Sequence, residues 1–162
     1  MVVDRVIINV AQQKLFTFSR DNLIKSYLVS TATRGTGNEK GSYCTPLGKH
    51  IIRAKIGKGL PLGAVFIARR WTNEIYDESL AAKLPGRDWI LSRILWLCGC
   101  QVGLNRLGSV DTMARYIYIH GTPDAHLLGS PASYGCIRVS NEDVIELFGL
   151  LGLGTKVDIR AY

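Results

Sequence analysis

The chain has 162 residues, 47% of them hydrophobic, which fits one domain able to bury its own core. Its net charge of +7 favours partners carrying carboxylates or phosphates, yet no dense Lys/Arg run or nucleic-acid-binding motif accompanies that charge. The longest apolar stretch, residues 94–98, is far too short to form a membrane-spanning helix.

Residues 1–10 carry no basic region, long apolar core or small-residue cleavage site, and lead straight into a strand pattern. Cys44, Cys98, Cys100 and Cys136 are too unevenly spread for a disulfide framework. Free thiols and the missing export signal predict a cytoplasmic protein; a removed leader would make it periplasmic. Residues 6–10 and 14–18 flank a polar turn and predict a hairpin, followed by an alternating strand over 23–33. Residues 34–44 are rich in Gly, Ser, Thr and Asn and predict a mobile surface loop. After the turn Thr45-Pro46-Leu47-Gly48, strands are expected over 50–55 and 64–68.

The middle of the chain reads differently. Residues 77–84 predict a short helix ended by Pro85-Gly86, and 88–97 place apolar residues at helical spacing with Asp88 as cap. Residues 115–122 then favour a strand, because aromatic and β-branched side chains suit a pleated surface. Ser133-Tyr134-Gly135-Cys136-Ile137-Arg138 predicts a tight turn, and Ser140-Asn141-Glu142-Asp143 a capping box opening the apolar run 144–148. A last strand is expected over 156–159. The fold class that follows is mixed but mainly β, a single domain over 1–162 with a few short helices.

Chemistry concentrates at the strand 115–122 and the turn after it. Cys136 is the candidate nucleophile, sixteen residues beyond His120 and close to a helix start; both neighbours are suited to lowering a thiol pKa. His120, at a strand end, is the candidate acid–base group. His50, within a strand, and His126, in a loop, are weaker rivals. The amides of Tyr134, Gly135 and Cys136 are candidates for an oxyanion hole, since a tight turn aims several donors at one point. Arg138 offers a fork for a substrate carboxylate, or a salt bridge to Glu142 or Asp143. Cys98-Gly99-Cys100 lacks the second pair that a zinc site needs, so these read as structural thiols and no metal is expected. Trp71, Trp89 and Trp96 could line a groove, though core packing accounts for at least two.

His120-Gly121-Thr122, Ser133-Tyr134-Gly135-Cys136-Ile137-Arg138 and Thr45-Pro46-Leu47-Gly48 together resemble the signatures of the L,D-transpeptidases with a YkuD-type catalytic domain. The family usually has His where this chain has Tyr134, a departure that bears on transition-state stabilisation and specificity. The resemblance implies a β-sandwich-like catalytic domain without a cofactor. It makes Cys136, His120 and the Gly121 carbonyl the catalytic set, with Ser133, Tyr134, Gly135 and Arg138 binding oxyanion or substrate. It also implies acyl transfer through a thioester, at the bond between a diaminopimelate-type third residue and terminal D-Ala of peptidoglycan stems. In the cytosol, water would be the acceptor, giving an L,D-carboxypeptidase that recycles muropeptides. An amine acceptor would give 3-3 cross-links in the wall. The reading from another class is a non-catalytic basic domain binding acidic glycopeptide or nucleic acid. Stem peptides are the expected partners, with no nucleic acid or membrane.

Overall fold

The computed structural model describes residues 2–162; Met1, the start of the opening stretch, lies outside them. The molecule is mainly β and organised on one curled sheet. Strands β1 (Arg5–Asn9), β2 (Lys14–Ser19) and β3 (Asn22–Leu28) form an antiparallel meander. The C-terminal strand β10 (Lys156–Arg160) pairs parallel to β1 and joins it to β4 (Gly48–Ile56). Beyond β4 lies β7 (Ile90–Gly99), which also borders the hairpin of β5 (Ala64–Ile67) and β6 (Arg70–Ile75). The far edge of β7 pairs with β8 (Tyr118–Thr122), and β9 (Ile137–Ser140) runs parallel to β8.

Two helices complete the chain. The short α1 (Glu78–Lys83) starts where expected, with the Asp77 carboxylate accepting from the Leu80 amide at 2.7 Å. Helix α2 (Asn141–Leu150) is capped by Ser140, whose hydroxyl accepts from the Asp143 amide at 3.0 Å. Val144 and Leu147 of α2 insert into the main core with Val6, Ile8, Leu95, Leu97, Ile119 and Ile137. That burial is what presses α2 against β7, β8 and β9.

The helix expected over 88–97 is instead β7. Leu95 and Leu97 enter the main core, while Ile94 on the other face joins Phe66 and Tyr118 in a second cluster. A central strand buried on both faces loses its apolar–polar alternation, so its periodicity cannot be told from that of a buried helix. The strand expected from 115 begins only at Tyr118, since residues 112–116 turn and Tyr116 holds φ of 57°. The polar strand β6 carries no apolar pattern and went unanticipated.

Candidate active site

Alternation along two paired strands builds the site. In β8, Ile119 faces the main core, so Tyr118 and His120 face the other side. In β9, Ile137 and Val139 face the same core, which turns Arg138, and Cys136 just before the strand, toward the side of His120. The register sets Ile119 beside Ile137 and His120 beside Arg138. Parallel pairing therefore brings together residues that the sequence separates, and both groups open on one cleft of about 390 Å³. Tyr118, Cys136, His120, Ser133, Tyr134 and Arg138 all line it.

His120 is buried, and its Nδ1 lies 2.8 Å from the Gly121 carbonyl oxygen. A carbonyl only accepts, so Nδ1 carries the proton and Nε2 the lone pair. Burial pushes the imidazole pKa below its usual value, opposed by the Gly121 bond and the charge of Asp88, and the ring is neutral at pH 7. Gly121 cannot be replaced cheaply, because a Cβ there would sit 2.6 Å from the Leu91 carbonyl oxygen.

The half-buried Cys136 thiol does not rest on the imidazole. It accepts from the Tyr118 amide at 3.3 Å and donates to the Tyr116 carbonyl at 3.4 Å. Desolvation pushes its pKa up to about 12, against the lowering effects of the Tyr118 amide, Arg138 and Arg115. The lowering expected from His120 and a helix start is thus absent in the free protein, because burial outweighs it. The resting pair is a neutral thiol and a neutral imidazole.

The turn before the thiol is held from within and from outside. Ser133 Oγ donates to the Cys136 carbonyl at 2.6 Å and accepts from the Gly135 amide at 3.1 Å. Thr45, from the Thr-Pro-Leu-Gly turn, donates to the Gly135 carbonyl at 2.9 Å and accepts from the Ala32 amide at 2.9 Å. Gly135 holds φ of 132°, and a Cβ there would lie 3.2 Å from the Cys44 carbonyl oxygen. Because Ser133 occupies the Gly135 amide, that donor is not free for an oxyanion. The Tyr134 and Cys136 amides donate to no described residue.

Arg138 meets neither Glu142 nor Asp143. Its Nη2 donates to Asp88 Oδ1 at 2.8 Å, so the residue expected to cap a helix is the counter-ion of the site. The Arg138 Nε is buried without a partner. Tyr134 is exposed, with the Arg138 guanidinium 5.7 Å from its ring centre, and it divides the cleft from two neighbouring grooves. Arg115, which the sequence did not single out, donates to the carbonyls of Gly37 and Cys44 and to Ser42, fastening the 34–44 loop to the site.

The rivals fall away from the cleft. Buried His50 is bonded to the Gly48 carbonyl and the Thr112 hydroxyl, and desolvation lowers its pKa to about 4. His126 sits exposed in a 3-10 turn. Cys98 and Cys100 are free, and no metal-ligating cluster occurs among the described residues. Trp89 packs in a core with Val65 and Leu91, Trp71 packs against the Phe66 cluster, and Trp96 meets the Tyr118 ring edge to face beside the cleft. The sequence offered a signal for Tyr118, two residues before His120 in a strand, but none for Asp88 or for Arg69, which also lines the cleft.

A curled β-sheet with a thiol and an imidazole delivered to one cleft by paired parallel strands defines a cysteine enzyme architecture. The family model for the L,D-transpeptidase catalytic domain (YkuD) matches residues 3–159, and the chain belongs to that family. A Bacillus subtilis protein bearing the name L,D-transpeptidase YkuD is 49% identical over 42 residues, 26% of each chain. Its Bacillus licheniformis namesake is 46% identical over 41 residues, 25% of each. The alignments thus span about a quarter of those relatives. An L,D-transpeptidase from Mycobacterium smegmatis superposes with a TM-score of 0.58 at 14% identity, covering 98% of this chain and 59% of that one. One from Xylanimonas cellulosilytica gives 0.57 at 18% identity, covering 98% and 61%. At these identities the likeness is one of fold.

Proposed function

We propose that this protein cleaves the bond between the third, diaminopimelate-type residue and the terminal D-Ala of peptidoglycan tetrapeptide stems, with water as final acceptor. The observation that carries the proposal is the shared cleft of Cys136 and His120, with His120 Nδ1 fixed on the Gly121 carbonyl. Nε2 takes the thiol proton as Cys136 Sγ attacks the scissile carbonyl. The unpartnered Tyr134 and Cys136 amides receive the oxyanion. Collapse breaks the C–N bond, the imidazolium returns the proton to the leaving D-Ala amine, and a thioester remains. His120 then deprotonates a water, which attacks the thioester and releases the tripeptide carboxylate and the thiol. Arg138, with its orphaned Nε, orients the peptide near the reacting carbonyl.

Water as acceptor is supported by the state of the cysteines. All four are free, which suits a reducing compartment, and we place the protein in the cytoplasm, where stem peptides arrive for recycling. A second groove of about 470 Å³ beyond Tyr134, lined by Thr33, Arg34 and Tyr43, favours the other reading. It has room for the amine of a second stem, which would give a 3-3 cross-link. Mass spectrometry of products from a concentrated tetrapeptide separates the two: tripeptide plus D-Ala supports hydrolysis, and abundant dimer overturns it. No product at all, with Cys136 intact, overturns the enzymatic proposal.

A further inference from the structure

Three arginines line the catalytic cleft, and they differ in what neutralises them. Arg138 is paired with Asp88, and Arg115 is committed to backbone carbonyls and a serine hydroxyl. Arg69 has neither a carboxylate nor a carbonyl partner among the described residues. Its Nη1 donates to the Tyr118 hydroxyl at 3.0 Å, and its guanidinium lies 4.9 Å from the Trp96 ring centre and 4.6 Å from that of Tyr116. Two aromatic faces and one phenol hold the plane while leaving most of its five N–H donors unused. Such a fork is already ordered and loses little side-chain entropy on receiving a carboxylate.

Backbone conformation at the same point is unusual. Ile67 pairs with Arg70, so Ala68 and Arg69 form a two-residue hairpin loop, with φ of 48° and 64°. Loops of this kind favour Asn-Gly or Gly-Gly, since positive φ crowds a Cβ. Here an alanine and an arginine occupy both positions, and the turn aims a long cation back over the cleft. Tyr118 links this cation to the chemistry, because its amide donates to Cys136 Sγ while its hydroxyl accepts from Arg69.

We infer that Arg69 is a specificity residue that binds a carboxylate of the donor peptide, at a distance from the scissile carbonyl set by the Tyr118 side chain. This rests on the proposed thiol site, and its substrate arm rests on the proposed stem-peptide activity. Arg138, neutralised by Asp88, orients the peptide close to the reacting centre; Arg69 supplies the uncompensated charge that selects an acid over an amide.

The test has two arms. In the first, Cys136 of wild type and Arg69→Gln is alkylated with N-iodoacetyl-β-alanine and with its amide, reagents that differ in a carboxylate held several bonds from the reacting carbon, as Arg69 is held a tyrosine side chain from Sγ, and labelling is followed on the Cys136 peptide. The acid-to-amide rate ratio should fall about tenfold in the variant, the low end for losing a bond to a charged group. In the second, tetrapeptides amidated at one carboxylate at a time are turned over. Arg69→Gln should raise KM about tenfold for the acid, leave kcat within about twofold, and erase the preference over one amidated peptide. An unchanged alkylation ratio, or equal losses on acid and amide peptides, overturns the inference. Should wild type turn over no tetrapeptide, the proposed function fails while the alkylation arm still judges Arg69. Should Arg69→Gln not fold, Arg69→Lys, which keeps the charge without the fork, should weaken the acid preference; an unchanged preference overturns the inference.

Discussion

Raising the pH on the free protein tests the ionisation state of the site directly. Desolvation places the Cys136 pKa at about 12, so the thiolate fraction at pH 7 is on the order of 10⁻⁵. An unperturbed thiol near 9 would have about 1%. Cys136 should therefore react with iodoacetamide roughly a thousandfold more slowly than such a thiol at pH 7, and its rate should climb about tenfold per pH unit to at least pH 10. The assay is peptide-resolved alkylation by mass spectrometry across pH 6–10. Stability follows the same proton with a defined sign. The unfolded thiol ionises near 9 and the folded one near 12, so this contribution is whole below pH 9 and is lost as pH rises through 12. Cys136→Ala should lack that loss. A labelling rate that is high and flat between pH 6 and 8 would mean a resting thiolate–imidazolium pair, and would refute the balance of burial over neighbouring charge.

Other expected outcomes follow from single contacts. Because burial holds the His120 pKa below 6.5, kcat/KM should be level from pH 7 to 10 and fall only on acidification below 6.5, read from a pH–rate profile. Cys136→Ala should abolish turnover, and His120→Gln should lose about 10²–10⁴-fold in kcat, while His126→Ala stays within a few fold. Thr45→Val strands the buried Gly135 carbonyl and Ala32 amide and should cost about 2 kcal/mol by denaturant melt, with a fall in kcat as the nucleophile turn loosens. Asp88→Asn leaves Arg138 uncompensated; with Asp88 itself 43% exposed, the loss should be about 1–2 kcal/mol. Ser140→Ala removes the cap of α2 and should cost about 1 kcal/mol without changing KM.

What the sequence determined by itself lies within short windows. Apolar runs and the turn between them marked β1, β2 and β10, the Pro85-Gly86 stop and the Ser140 cap marked the two helices, and Gly135-Cys136 after a strand-end His120 marked the thiol and its base. Each of these signals comes from neighbours along the chain: a cap bonds three residues on, a turn needs its glycine locally, and a strand with one face buried alternates. Tertiary structure alone decided the rest. Residues 90–99 carry an apolar run that suits either element, and they became a strand because β4, β5 and β8 supply partners for both edges. Asp88 became the counter-ion of Arg138 across fifty residues, Thr45 the clamp on Gly135 across ninety, and Arg69 the cation that the Tyr118 hydroxyl holds over the cleft. The Cys136 pKa was decided in the same way. A thiol beside a histidine and a helix start reads in sequence as an activated one, but burial depends on what packs over it, and here the desolvation supplied by distant strands outweighs the nearby charges.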